Sequence, residues 1–156
     1  MEPKADFAEA VRRAFADCDA LVFVMAAGIV VRTIAPLVQS KASDPAVLVL
    51  DQRGKHVISL LSGHLGGANA MAEQAAAYLG GEAVITTATD VEHVPAFDLF
   101  AKENHLTIEN LEELKYISGA LVAGEPVSLC TAFPVEKNAF PETVQLQSFS
   151  ETPWHA

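Results

Sequence analysis

The chain has 156 residues, of which 51% are hydrophobic and 19% charged, a composition that excludes disorder and supports one packed domain or one domain plus part of another. The formal net charge is −10, with 12 acids against 3 bases in residues 82–156 but 8 against 7 in residues 1–81. Neither half carries the basic footprint that a phosphate backbone requires, which excludes nucleic acid as a partner and directs any small anionic ligand to the near-neutral first half.

In chain order, residues 6–16, DFAEAVRRAFA, set Phe7, Val11, Ala14 and Phe15 at helical spacing. The run ALVFVMAAGIVV, Ala20 to Val31, has 12 residues, too few for the ~20 of a bilayer span. It begins behind Asp17 and Asp19, unlike a secretion signal, so a cytoplasmic protein with no membrane partner is expected. Within the run, ALVFVMA is expected to be a strand buried on both faces of a sheet. Gly28 allows a tight exit, and IVVRTIAPLVQS reads as a helix that Pro36 kinks or ends.

AVLVL at 46–50 and HVISLL at 56–61 flank DQRG, a set of turn residues, and predict a hairpin in which Asp51 serves the turn. After the loop SGHLGG, residues Leu65, Ala68, Met71 or Ala72, Ala75 and Leu79 recur at three and four residues until Gly80–Gly81. EAVITTATD is expected as a further strand with Thr86, Thr87 and Thr89 at its carboxyl end. AFDLFAKENH reads as a helix; a second helix is expected from NLEELKYISGALVAG, with Leu111, Leu114, Ile117 or Ser118 and Leu121 on one face; PVSLC reads as a strand. The tail from Thr131 has three prolines and no period. This alternation predicts an α/β fold, a three-layer Rossmann-like arrangement of a mostly parallel sheet flanked by helices, with one β-hairpin.

The stretch SGHLGGAN places glycines where a helix begins. Amides at a helix N-terminus lack intrahelical acceptors and carry partial positive charge, so Gly66 and Gly67, expected in the first turn, would let an anion approach, with Ser62, His64 and Asn69 adding side-chain donors. The alternative is that Gly63, Gly66 and Gly67 permit a sharp strand-to-helix turn and close packing. The spacing fits neither a P-loop nor a dinucleotide fingerprint. A second junction, MAAGIVVR, sets Gly28 one helical turn before Arg32, which either clamps a carboxylate or is a surface arginine. At the third, TTATD, hydroxyls and Asp90 gather at a strand end, where open α/β sheets bind ligands. Cys18 and Cys130 show no paired spacing, and the histidines 56, 93, 105 and 155 show no ligand spacing, so neither a disulfide framework nor a protein-bound metal is expected.

Taken in order, GIVVRTIAPLVQSKASDPAVLVLDQRGKHVISLLSGHLGGANAMAEQ and VITTATDV closely resemble the cobalt-precorrin-5A hydrolase family, also called cobalamin biosynthesis protein G, of the anaerobic vitamin B12 pathway. The motifs are G-I-x-V-R-x-x-A-P, K-x-S-D-P-A-V, L-L-S-G-H-x-G-G-A-N and T-T-A-T-D, within a match from about Phe7 to Leu99. The resemblance implies residues 1–94 as the family's N-terminal α/β domain, without its usual first strand and helix, and 95–156 as the start of its middle region. It also implies a hydrolase that opens the δ-lactone of the macrocycle and releases acetaldehyde. The implied substrate is a small-molecule corrinoid carrying its own cobalt, so no cofactor is expected. A separate chain supplying the missing domains, or a homodimer, is the expected partner.

On that footing His64, the motif side chain that titrates near neutrality, is the candidate general base. Amides around Gly66 and Gly67 would stabilise an oxyanion, and Asp90 or Asp44 would shuttle a proton. Gly28, Arg32, Lys41, Ser62, Gly63, Gly66, Gly67, Asn69, Thr86, Thr87 and Thr89 are the candidate substrate-binding residues. The alternative is a non-catalytic module that binds a corrinoid intermediate, or a fragment of a split enzyme.

Overall fold

The computed structural model describes residues 6–136 and 139–148, which fall into two compact units divided after Thr87. Strand β1 (Ala20–Val24), strand β2 (Ala46–Leu50), strand β3 (His56–Leu61) and strand β4 (Glu82–Val84) make one sheet in the first unit, in the order β1-β2-β3-β4. β1 runs parallel to β2 and β3 parallel to β4, whereas the hairpin makes β2 and β3 antiparallel. The sheet is therefore mixed, as the DQRG turn requires.

Helix α1 (Phe7–Asp17) and helix α2 (Ala27–Ile34) cover one face. Val11, Val30 and Ile34 pack there with Leu21, Phe23, Val47 and Val49. Asp6 caps α1 by accepting from the Ala8 amide at 3.2 Å, and Glu9 pairs with Arg12 and Arg13 along its surface. α2 stops two residues before Pro36, which cannot donate to a further turn. Helix α3 (Ala68–Leu79) covers the other face, completing three layers, and Gly80 ends it in the left-handed conformation.

The stripe that α3 buries is the expected one in part, with Ala68, Ala72 and Ala75 on the core side. Ala68, Ala72 and Ala76, with Asn69, face the sheet, while Met71 and Leu79 are exposed. Alanines at i, i+4 and i+8 let the helix axis approach β2 and β3 closely, and this favours the small residues over the large ones for the contact. β1 also departs from expectation, because α3 packs mainly on β2, β3 and β4, reaching this edge strand's side of the core only near Ala20. Val22 and Val24 are consequently 61% and 58% exposed, while Leu21 and Phe23 on the α1/α2 side are buried.

Register shifts within the hairpin. Val47 pairs with Leu61 but Leu48 pairs with Ser59, so Leu60 is an extra residue and β3 carries a bulge. Leu60 and Leu61 both pack toward α1 and α2, after Val57 on the α3 side. The turn itself is held by Asp51, whose carboxylate accepts from the amides of Arg53 at 2.8 Å and His56 at 2.7 Å.

The second unit contains helix α4 (Ala88–Val91), helix α5 (Phe97–Glu103), helix α6 (Leu114–Val122), strand β5 (Val127–Thr131) and strand β6 (Val144–Ser148). β5 and β6 pair in parallel, so part of the tail read as aperiodic forms a strand, its short V-Q-L-Q alternation being a weak signal beside three prolines. The rest of that tail, from 149, lies outside the described residues. EAVITTATD likewise divides: the strand stops at Val84, and Thr89 and Asp90 belong to α4. Leu111 precedes α6, which starts at Leu114. Phe97, Phe100 and Phe140 form an aromatic cluster with centroid separations of 5.2 to 6.4 Å.

Two outcomes are expected. Ala72 is fully buried, so Ala72→Leu overpacks the α3–sheet contact and lowers stability by about 1–3 kcal/mol, measured by chemical denaturation. The amides of Arg53 and then His56 hold the Asp51 carboxyl at about 2, below its ordinary 3.8. The resulting stabilisation is present above pH 3.8 and is lost as pH falls toward about 2, so the stability gap between wild type and Asp51→Asn should close over that interval.

Candidate functional site

Pairing directions determine which strand ends meet. Because β2 is antiparallel to β3, the carboxyl ends of β3 and β4 lie at the same end of the sheet as the amino ends of β1 and β2. The loop 62–67, the segment 85–87 and the segment 39–45 therefore share one end. Gly28 lies at the other, since it follows the carboxyl end of β1, where the Met25 amide donates to the Leu50 carbonyl at 3.1 Å. The three junctions do not open on a common hollow: two converge and the Gly28 junction is opposite them. Arg32 is exposed, and its Nη1 donates back to the Gly28 carbonyl at 2.9 Å.

At the shared end, hydrogen bonds tie the segments together. The buried Asp44 carboxylate accepts from the Gln39 amide at 2.9 Å and the Ser40 amide at 3.0 Å, folding the loop that carries exposed Lys41. This engages Asp44 in holding backbone. The Ser62 hydroxyl donates to the Asp44 carbonyl at 2.9 Å, linking the end of β3 to the start of β2. Ser62 has φ 57, a left-handed conformation uncommon outside glycine, and it is buried.

Asn69, in the first turn of α3, is 6% exposed and joins β3 to the segment after β4. Its Oδ1 accepts from the Ser59 hydroxyl at 2.6 Å, and its Nδ2 donates to Thr87 Oγ1 at 3.1 Å. Ser59 was not singled out from sequence, where a lone serine inside an apolar strand is a faint signal. Thr86 is exposed and Thr87 half-buried. His64 is half-buried on the loop between Ser62 and Gly67.

The glycines are set by packing. A Cβ on Gly63 would stand 2.7 Å from Asn69 Oδ1, and one on Gly66 would stand 2.7 Å from the Ser62 carbonyl oxygen. Gly67 is the N-cap of α3, not part of its first turn, with φ 88. Three amides where the helix begins have acceptors in the loop: Gly67 donates to the His64 carbonyl at 3.0 Å, Ala68 to that of Ser62 at 3.2 Å and Asn69 to that of Gly63 at 3.1 Å. These three helix-end donors are satisfied within the loop, and the polar side chains of this end are further groups able to contact a ligand. Buried Thr89 and half-buried Asp90 lie on α4 in the second unit, so the site described is built from first-unit residues.

The family model for the cobalamin synthesis G N-terminal region matches residues 9–90, and that for the cobalamin biosynthesis central region matches residues 95–153. The chain belongs to the cobalamin synthesis G family. Among its relatives, the cobalt-precorrin-5A hydrolase of Salmonella typhimurium is 49% identical over 124 residues, 79% of this chain and 35% of that protein. The cobalt-precorrin-5A hydrolase of Priestia megaterium is 42% identical over 109 residues, 70% of this chain and 29% of that protein. A cobalamin biosynthesis protein G homolog from Sulfolobus solfataricus superposes with a TM-score of 0.54 at 28% identity, over 93% of this chain and 45% of that one. The chain thus spans about a third of the length of the curated hydrolases of the cobalamin synthesis G family that it matches.

Gly63→Ala is expected to displace the Asn69 amide and lower stability by about 1–3 kcal/mol through an unsatisfied buried polar group. Gly119→Ala is the control, since a Cβ there meets nothing within 4 Å and lies in helix α6. Its stability, read by thermal melting, should be unchanged or slightly higher.

Proposed function

We propose that the protein acts in cobalt-precorrin-5A hydrolysis, opening the δ-lactone of the macrocycle and releasing acetaldehyde. What carries the reading is identity of 49% to a cobalt-precorrin-5A hydrolase across 79% of the chain. The joining of three motif segments at one sheet end by Asp44, Ser62, Asn69 and Thr87 supports it. A macrocycle rimmed with acetates and propionates offers carboxylates to the hydroxyls and to Lys41, and it brings its cobalt with it.

In this mechanism His64 takes a proton from water as the oxygen adds to the lactone carbonyl. Collapse of the adduct breaks the acyl C–O bond, leaving a carboxylate on the macrocycle and a free hydroxyl on the two-carbon unit. When that hydroxyl loses its proton, its oxygen forms the carbonyl of acetaldehyde as the carbon–carbon bond breaks. The electron pair of that bond remains on the macrocycle and takes up a proton there. Asp44, whose carboxylate binds two amides, maintains the loop 39–44 in this scheme and does not relay protons.

Incubation of the chain with cobalt-precorrin-5A should release acetaldehyde, detected with a coupled alcohol dehydrogenase. His64→Ala should lower turnover by about 10²–10⁴-fold with substrate affinity retained. Unaltered turnover removes His64 from the mechanism. Corrinoid binding without acetaldehyde would instead make the chain a binding module for the intermediate.

A further inference from the structure

We infer that Thr87 is the hydroxyl that contacts the substrate at this end of the sheet, and that Asn69 and Ser59 are positioning residues that aim it. This rests on the hydrolase reading only for the class of ligand, an oxygen-rich anionic corrin. The geometry stands apart from it.

The directions of the hydrogen bonds form the basis. Ser59 Oγ donates to Asn69 Oδ1 at 2.6 Å, which turns the amide nitrogen toward Thr87, and Nδ2 donates to Thr87 Oγ1 at 3.1 Å. A hydroxyl whose oxygen accepts from Asn69 directs its own hydrogen elsewhere, so Thr87 is presented as a donor. Thr87 is half-buried, whereas the amide behind it is 6% exposed and out of a ligand's reach. An oxygen acceptor on the ligand, a carboxylate or the lactone carbonyl, is the complementary group.

Three features keep the amide from rotating. Gly63 leaves room for the Asn69 amide where it stands, since a Cβ there would lie 2.7 Å from Oδ1 and 3.1 Å from Nδ2. Ala68, beside it, is fully buried against the sheet. The bulge at Leu60 keeps Ser59 on the α3 side while Leu60 and Leu61 pack on the other. The relay therefore spans β3, α3 and the segment after β4, and a donor is oriented before any ligand arrives, which lowers the entropic cost of binding. Asn69, proposed from sequence as a substrate contact, acts through Thr87.

The test uses the full chain labelled with ¹⁵N, titrated with cobyrinic acid, a cobalt corrin bearing free acetate and propionate side chains. Without ligand, Ser59→Ala and Thr87→Val should each shift the Asn69 side-chain amide resonances, and Thr87→Ser should restore them. With ligand, the Thr87 backbone amide should shift in wild type. Kd should rise about tenfold in Thr87→Val, recover in Thr87→Ser, and rise less in Ser59→Ala and recover in Ser59→Thr. A merely structural relay would lower the melting temperature of Ser59→Ala with Kd unchanged, and that result overturns the positioning role. Corrin-induced shifts elsewhere that spare Thr87 overturn its donor role but leave the hydrolase reading standing, because acetaldehyde release is read separately. A corrin that perturbs no resonance at all overturns the donor and positioning roles alike, while acetaldehyde release still decides the hydrolase reading.

Discussion

The antiparallel pairing of β2 with β3 is the constraint on which the rest of the first unit depends. In an all-parallel sheet every strand-to-helix junction opens at one end, and ligands gather there. One reversed pairing sends the carboxyl end of β1, with Gly28, to one side and the carboxyl ends of β3 and β4 to the other. It also brings the amino end of β2, and with it Asp44 and Lys41, to the side of Ser62 and Thr87. The composition of the candidate site follows from a four-residue turn at the far end of the hairpin, held by Asp51.

Close packing then does what an anion seat was expected to do with the glycines. A helix with Ala68, Ala72 and Ala76 on its inner face comes near enough to β3 for Asn69 to reach Ser59, and Gly63 is small because the Asn69 amide takes its space. Gly66 is small because Ser62 turns back under it in a left-handed conformation. The loop accepts from the amides of Gly67, Ala68 and Asn69, and side chains at defined orientations add to its polarity. A buried network of this kind is stable only when every member is satisfied, which makes the loop rigid and its chemistry specific.

Much of this was legible along the chain. The hairpin followed from apolar runs flanking DQRG, α1 from a stripe with Asp6 as cap, and the end of α2 from Pro36. The motifs around Arg32, Asp44, His64 and Asp90 sufficed to indicate the family. Less legible were the exposed side of β1, because valine and phenylalanine read alike on a central and an edge strand, and the buried stripe of α3, because alanine weighs little in a hydrophobic pattern. β6 was hidden by its glutamines, and Ser59 by its apolar neighbours.

The division has a physical cause. Local features, turn residues, caps, helical spacing and glycine placement, depend on a few adjacent residues, so the sequence by itself determined most elements of the first unit, the hairpin and the kinship. Which strand ends coincide, and which way the Asn69 amide faces, depend on contacts between residues far apart in the chain: Asp44 with Ser62, Asn69 with Thr87. Strand order, bulge and helix approach are settled together by the packed sheet, and only tertiary structure decided that Thr87 stands with Lys41 and apart from Gly28.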